Sequence, residues 1–197
     1  FFHEVNVPDY PLFHYQPYEL ALSSKLVDTV KKYNIELLHV HYAIPHAYAA
    51  YMTKKILQSE NINIPIITTL HGTDITLVGK HPFYKPAVRF SINNSDFVTS
   101  VSEDLKKETI KLFEVKKSIK VIPNFVDFSK HLPHGNYFDR EFIARDDEKI
   151  ISHVSNFRKV KRTLDVIDIF YNIQKEINSK LIMVGDGPDR LKCMKKC

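Results

Sequence analysis

The chain alternates between two patterns of hydrophobic positions. Short runs rich in Val, Ile and Leu predict β-strands, and their nearly continuous apolar character is typical of strands buried on both faces of a parallel sheet. Longer stretches with apolar residues three or four positions apart predict helices. The predicted strands are residues 2–7, 37–42, 64–70, 97–101, 119–122, 149–154 and 180–184. The predicted helices are residues 17–33, 46–59, 83–93, 102–113, 163–177 and a last helix from Pro188.

The alternation of strands and helices indicates an α/β fold with parallel sheets. Ser102 precedes two acidic residues, Glu103 and Asp104, which is the pattern of a helix start. One segment interrupts the alternation, because residues between the fifth and sixth predicted strands have no clear periodicity. We therefore expect a first domain over residues 1–124, a linker region over residues 125–146, and the start of a second domain over residues 147–197.

Composition and charge exclude several classes of protein. The 197 residues include only five glycines, and no glycine-rich loop of the P-loop or dinucleotide-binding type occurs. The net charge is +5, but no stacking aromatics accompany the basic runs, so we expect no nucleic-acid partner. No apolar stretch is long enough to span a membrane, and we expect no stable membrane association. The two cysteines, Cys193 and Cys197, are interpreted as solvent-exposed thiols, which indicates a reducing, cytoplasmic setting.

Polar strings follow six of the predicted strands. They are residues 41–46, 71–74, 101–104, 123–127, 155–158 and 185–188. Open parallel sheets bind their ligands outside the carboxyl ends of the strands. The repeated placement of polar residues at these ends therefore predicts a ligand site there.

Two of these strings suit a phosphate-bearing ligand. Arg158 and Lys161 follow one strand, where Arg offers a bidentate fork and Lys a point charge to phosphate oxygens. Gly185 and Gly187 flank Asp186 and allow a sharp turn with close approach of the backbone to a ligand. A solvated basic patch and a plain tight turn are the alternatives.

The histidines allow two interpretations. His39 and His41 lie on one face of a strand, and such a pair can bind a metal in a metal-dependent hydrolase, with Asp74 as the only obvious further ligand. In the other interpretation, His71 donates to a substrate hydroxyl, while Asp74 orients neighbouring groups or caps a turn. Arg89 either lies along an apolar helix surface or faces the cleft and binds a carboxylate.

Taken in order, the strings resemble retaining glycosyltransferase family 4. The resemblance rests on residues 39–47, 68–74, 100–102, 122–127, 155–162 and 185–188. The strings His-Tyr-Ala-Ile-Pro-His and Ser-Asn-Phe-Arg-Lys-Val-Lys-Arg resemble in particular a branch of the family that acts on L-malate. The resemblance implies a GT-B fold, in which two Rossmann-like domains with parallel sheets, both incomplete here, bind the acceptor and the UDP-sugar respectively.

The same resemblance implies an activity and its residues. N-acetylglucosamine would pass from UDP-GlcNAc to the hydroxyl of L-malate with retention, as the first step of bacillithiol synthesis, without a cofactor or metal. The implied malate-binding residues are Tyr42, Thr69 and Arg89. The implied catalytic residues are His71, Arg158 and Lys161. The implied donor-binding residues are Asn124, Asn156, Arg158, Lys161, Gly185, Asp186 and Gly187. Asn156 stands where much of the family has arginine, so the contribution of each basic residue to binding the diphosphate is open.

Two features of the family are missing from the sequence. Its glycine-rich loop is expected before Phe1, and its donor-binding glutamate pair is expected after Cys197. We therefore expect this chain to be an internal fragment with little or no activity alone. Another acceptor within the family, the metal-dependent hydrolase and a homo-oligomeric state remain open.

Overall fold

The computed structural model describes residues 1–9, 16–130 and 140–197. The chain divides into two compact units, Phe1–Val126 and Asp127–Cys197. Both units are built from parallel strands with helices between them, as the hydrophobic pattern predicts.

The first unit contains a four-stranded parallel sheet with the strand order β1-β2-β3-β4. Its strands are β1 (Leu38–His41), β2 (Ile66–Leu70), β3 (Phe97–Ser100) and β4 (Ile119–Val121). Its helices are α1 (Tyr18–Tyr33), α2 (Tyr48–Ser59), α3 (Lys85–Asn94) and α4 (Glu103–Phe113). The Ser102 hydroxyl accepts a hydrogen bond from the Leu105 N–H at 3.1 Å, which confirms the predicted start of α4.

One face of this sheet is covered by the helices. Val27 and Val30 of α1 pack with Leu38 and Ile66 in one buried cluster, while α3 and α4 contribute to a second cluster around Ile119. The opposite face is partly open, since Phe97, the first residue of β3, is 65% exposed. The prediction that these strands are buried on both faces is confirmed for most of β2, where Thr68 and Thr69 are both buried, and is wrong for β1, where His39 and His41 are exposed because the described helices pack on the other face.

The second unit contains a two-stranded parallel sheet, formed by β5 (Lys149–Val154) and β6 (Ser179–Val184). Two helices pack with it, α5 (Thr163–Gln174) and α6 (Arg190–Lys196). A small core joins Phe157, Ile167 of α5 and Cys193 of α6. Cys193 is therefore buried, and its thiol lies 3.4 Å from the Thr163 hydroxyl, while Cys197 is exposed. The prediction of two solvent-exposed thiols is wrong for Cys193, because α6 turns this small apolar side chain towards α5.

Several predicted boundaries differ from the structure. Residues 2–7 form no strand, because only Val5 and Val7 in that segment are even half-buried and no neighbouring strand pairs with it among the described residues. Helix α5 ends at Gln174, and α6 begins two residues after Pro188, with Asp189 at its N-cap. Of the predicted linker, residues 131–139 lie outside the described residues. Across the described ranges, no helix combines the length and apolar character needed to cross a membrane.

Candidate functional site

The carboxyl ends of β1 and β2 bring four predicted site residues together. The parallel register places His41 beside Thr69, and the Tyr42 N–H donates to the Thr69 carbonyl at 2.9 Å. His71 follows β2 directly, and its ring centroid lies 5.1 Å from that of Tyr42. The predicted malate-binding pair Tyr42 and Thr69 is thus adjacent to the predicted catalytic His71.

A row of imidazole rings lies along this edge. His39 and His41 share one face of β1, with ring centroids 4.8 Å apart, as the strand period predicts. His41 Nδ1 lies 2.7 Å from His71 Nε2, which is a hydrogen bond between the two rings. His46 Nδ1 lies 2.7 Å from the His41 carbonyl oxygen, and since a carbonyl only accepts, His46 donates.

The neighbouring rings and the partial burial of His41 act on its charge. Desolvation, followed by the charges of His39, His71 and His46, lowers the pKa of His41 below its usual value. A second cation in the row would be repelled by the first, so His41 remains an uncharged partner for His71 near neutral pH.

The Thr69 hydroxyl is held by two side chains. It lies 2.8 Å from His39 Nε2 and 2.7 Å from the Thr99 hydroxyl, and Thr69 is buried. A hydroxyl has one donor and two acceptor sites, so these two contacts leave Thr69 at most one site for a ligand. Sequence reasoning did not single out Thr99, which only the register of β2 and β3 places opposite Thr69.

A cavity of about 550 Å³ lies on the partly open face of the first unit's sheet. The predicted residues that line it are Thr69, His71 and Asn124. His39 and His41 line it too, together with apolar residues such as Ile67 and Phe97. The cavity therefore combines an apolar floor with a polar edge made by the strand ends. Tyr42 and Arg89 are not part of its lining.

Asp74 fixes the loops that carry these residues. Its buried carboxylate accepts from the Ala43 N–H at 2.7 Å, the Gly72 N–H at 3.1 Å and the His71 N–H at 3.4 Å. The first of these bonds joins the turn after β1 to the turn after β2. The structure thus agrees with the interpretation in which Asp74 orients its neighbours.

Arg89 lies on α3, apart from the histidine row. Its guanidinium Nη1 donates to Glu114 Oε2 at 2.9 Å, and both side chains are exposed. Arg89 is therefore not a residue that merely lies along an apolar surface, since it holds a carboxylate in solvent. Glu114 was not singled out from the sequence, and its position just after α4 gave no local indication of this pairing.

In the second unit, three predicted donor-binding residues follow β5. Asn156, Arg158 and Lys161 are exposed. The Lys161 N–H donates a hydrogen bond of 2.8 Å to the Arg158 carbonyl across one short 3-10 turn. Within the described part of the chain, neither basic side chain has an ion-pair partner. Both cations are therefore available to an anionic ligand.

The glycines after β6 are required by a neighbouring loop. Gly185 and Gly187 have φ values of +137° and +150°, which side chains rarely adopt. A Cβ at Gly185 would lie 1.9 Å from the Ser155 carbonyl oxygen, and one at Gly187 would lie 2.8 Å from the Phe157 nitrogen. The Phe157 N–H also donates to the Asp186 carbonyl at 2.8 Å. Close approach between the two loops therefore accounts for both glycines without a ligand.

Among residues 1–9, 16–130 and 140–197, no group of three or more His, Cys, Asp or Glu side chains has the geometry of a metal site. Within these ranges, no further metal ligands of the kind that a metal-dependent hydrolase needs accompany His39 and His41. Asp74, the only candidate for a third ligand, is occupied by backbone N–H groups.

Comparison with known proteins agrees with this architecture. The chain is 45% identical over 190 residues to N-acetyl-alpha-D-glucosaminyl L-malate synthase of Bacillus anthracis, which covers 96% of the chain and 49% of that protein. A glycosyltransferase from Rickettsia africae superimposes with a TM-score of 0.64 and 18% identity, over 96% of this chain and 49% of that one. The S. aureus MnaA–UDP structure superimposes with a TM-score of 0.57 and 13% identity, over 90% and 48% of the two chains.

These structural neighbours confirm the predicted α/β fold with parallel sheets of the GT-B type. The chain spans about half the length of the curated relatives it matches. Glycosyltransferase Family 4 matches residues 1–130, more than half of the sequence. The chain therefore belongs to glycosyltransferase family 4.

Proposed function

We propose that this chain serves in the transfer of N-acetylglucosamine from UDP-GlcNAc to the hydroxyl of L-malate, with retention at the anomeric carbon. The observation that carries the proposal is the 45% identity, over 96% of the chain, to a protein named N-acetyl-alpha-D-glucosaminyl L-malate synthase. The first unit would bind the acceptor, and the second unit would contribute to binding of the nucleotide sugar.

The reaction breaks the bond between the anomeric carbon and the diphosphate and forms a bond from that carbon to the malate oxygen. Negative charge accumulates on the departing diphosphate, and the malate hydroxyl passes its proton to an oxygen of that diphosphate. Preorganised cations at such a group lower the barrier, and one well-placed donor is worth about 3–4 kcal/mol. Arg158 and Lys161 suit this task, because both are exposed and without an ion-pair partner in the described part of the chain. With two such cations, the transfer needs no metal.

The first unit offers groups for a hydroxy-dicarboxylic acid. The Arg89 guanidinium already donates one hydrogen bond to a carboxylate, that of Glu114, at 2.9 Å, and it could offer two such bonds to a malate carboxylate. Tyr42 is half-exposed beside His71 and offers a hydroxyl for a second contact. His71 lines the cavity and would donate to a hydroxyl of the transferred sugar.

The proposal is tested by a chimeric protein in which this chain replaces the aligned part of the Bacillus anthracis relative. We expect UDP release that depends on both UDP-GlcNAc and L-malate and that persists in the presence of a chelator. Release with another hydroxy acid or a sugar, but not with malate, would identify a family member with a different acceptor. A well-folded chimera that releases no UDP with any acceptor would contradict the proposal.

The chimera also allows the chain's own contribution to be measured. Arg158→Ala in the chimera should slow UDP release, whereas Lys195→Ala, which removes a charge from the exposed end of α6, should not. Equal slowing by both substitutions would indicate an effect of net charge alone.

A further inference from the structure

We propose that His41 is a positioning residue for His71: through the hydrogen bond between the rings it fixes the orientation of His71 and leaves Nδ1 as the nitrogen that His71 presents to a ligand. This inference rests on the proposed function, which places His71 beside the transferred sugar. His41 itself has no assigned contact with either substrate.

The geometry gives His71 two restraints. Its ring is held at Nε2 by His41 Nδ1 at 2.7 Å, with the ring centroids 4.9 Å apart. Its backbone N–H is held by the buried Asp74 carboxylate at 3.4 Å. The register of β1 and β2 fixes the two strands that carry the rings, since His41 is paired with Thr69 two residues before His71. Ring and backbone are thus set by separate groups.

A hydrogen bond between two ring nitrogens contains a single proton, and the ring that holds it determines whether Nδ1 of His71 is protonated. When both rings are neutral, each carries one proton. If His41 Nδ1 holds the shared proton, His71 is protonated at Nδ1 and can donate to a hydroxyl. If His71 Nε2 holds it, His71 Nδ1 is a bare acceptor. In either case His41 determines which role His71 can take.

The surroundings of the pair keep that role constant near neutral pH. The titratable groups facing it are His39 and His46 on the β1 side and Asp74 behind the His71 backbone, with the Tyr42 phenol against the His71 ring. Desolvation and the charges of the neighbouring histidines lower the pKa of His41. A charged His41 is therefore disfavoured near neutral pH, and the ring that holds His71 stays an uncharged partner.

The test uses the full 197-residue chain, labelled with ¹⁵N at histidine, and NMR spectra that report the protonated nitrogen of each ring. We expect His71 in the native chain to be one dominant tautomer. His41→Leu should shift the His71 ¹⁵N resonances towards those of a mixture of tautomers. His41→Asn should restore the native values, because the Asn amide lies near the position of Nδ1. His81→Leu, at an exposed histidine, is the matched control.

A ligand titration separates this inference from the proposed function. On addition of UDP-GlcNAc to the chimeric protein described above, the His71 Nδ1 resonance should shift, and the shift should be smaller in His41→Leu at the same concentration because the ring is no longer held at Nε2. His71 resonances that are identical in the native chain and His41→Leu would overturn the inference. An altered tautomer in His41→Leu, with no response of the chimera to UDP-GlcNAc, would contradict the proposed function while leaving the pairing intact.

Discussion

The Asp74 carboxylate accepts a hydrogen bond from the Ala43 N–H at 2.7 Å across 31 positions of sequence. This bond joins the turn after β1, which begins beside Tyr42, to the turn after β2, which begins beside His71. Because both turns carry candidate site residues, the buried carboxylate sets their separation. The candidate site therefore depends on a group that faces away from solvent.

Removing this carboxylate is predicted to destabilise the first unit. Asp74→Ala leaves the buried Ala43 N–H without its acceptor, together with the partly buried N–H groups of Gly72 and His71. Each unsatisfied buried group costs about 1–3 kcal/mol, so we expect the free energy of unfolding to fall by at least about 2 kcal/mol. Urea unfolding followed by circular dichroism measures the change.

The control for this prediction is Asp28→Ala, at an exposed position on α1. Surface substitutions of this kind usually stay within about 0.5 kcal/mol. A loss of stability in Asp74→Ala no larger than in Asp28→Ala would show that the turns hold their positions without the carboxylate.

Two glycines with positive φ are predicted to differ in their tolerance of a side chain. At Gly185, an alanine Cβ would lie 1.9 Å from the Ser155 carbonyl oxygen, whereas at Gly72 it would lie 4.0 Å from a Leu105 methyl carbon, an ordinary contact. Gly72→Ala therefore carries backbone strain of about 1–3 kcal/mol, while Gly185→Ala adds a steric clash and should cost more. The urea midpoints of the two variants, each compared with that of the native chain, measure these losses of stability. A larger loss in Gly72→Ala than in Gly185→Ala would contradict the prediction.

Local patterns predicted most of the elements but few of the contacts in the site. The strand period places His39 and His41 on one face, and Ser102 begins α4, because both features depend on neighbours in sequence. The bond between His41 and His71 instead depends on the register of β1 and β2, which brings together residues 30 positions apart.

Burial was also difficult to predict where it depends on tertiary packing. Cys193 is buried because α6 packs on α5, and nothing in the adjacent basic residues indicates this. The two glycines after β6 resemble a ligand-binding turn in sequence, yet the loop that they approach, around Ser155 and Phe157, comes from a strand 30 residues earlier in the chain.

Removing a basic residue is predicted to weaken binding of UDP in the second unit and binding of L-malate in the first unit. Arg158→Ala or Lys161→Ala should weaken binding of UDP by about tenfold or more, because a hydrogen bond to a charged group contributes about 1.5–3 kcal/mol. Binding of L-malate should be unchanged. Arg89→Ala should weaken binding of L-malate and leave binding of UDP unchanged. Isothermal titration calorimetry with each ligand measures both affinities, and equal losses of UDP and malate in all three variants would contradict the division of tasks.

Glu114 is predicted to compete with an acceptor carboxylate for Arg89. Glu114→Gln removes the charge that the guanidinium binds at 2.9 Å, so L-malate should bind more tightly. Exposed ion pairs contribute about 0–1 kcal/mol, which limits the gain to about fivefold. The matched control is Glu108→Gln, which disrupts an exposed pair with Lys80. Weaker malate binding in Glu114→Gln than in this control would mean that Glu114 supports Arg89 and does not compete with the ligand.

Asp96 is predicted to make the stability of the first unit sensitive to acid. Desolvation alone would raise its pKa, but the hydrogen bonds from Lys54 Nζ and the Ile66 N–H outweigh it, and the pKa lies below its usual value of 3.8. The unfolded chain therefore takes up a proton at higher pH than the folded chain does. The stabilisation by Asp96 is complete above pH 3.8 and is lost as the pH falls through the lowered folded value.

The variant Asp96→Asn tests the sign of this effect. At pH 7 it should be less stable than the native chain, since it lacks the charge that binds Lys54 at 2.7 Å. At pH 3 the two stabilities should approach each other, because the native chain has begun to lose the same contribution. Urea midpoints at both pH values give the comparison, with Asp28→Asn on α1 as the control for an exposed carboxylate. A difference between native chain and Asp96→Asn that is equal at pH 7 and pH 3 would mean that Asp96 acts through its shape and not through its charge.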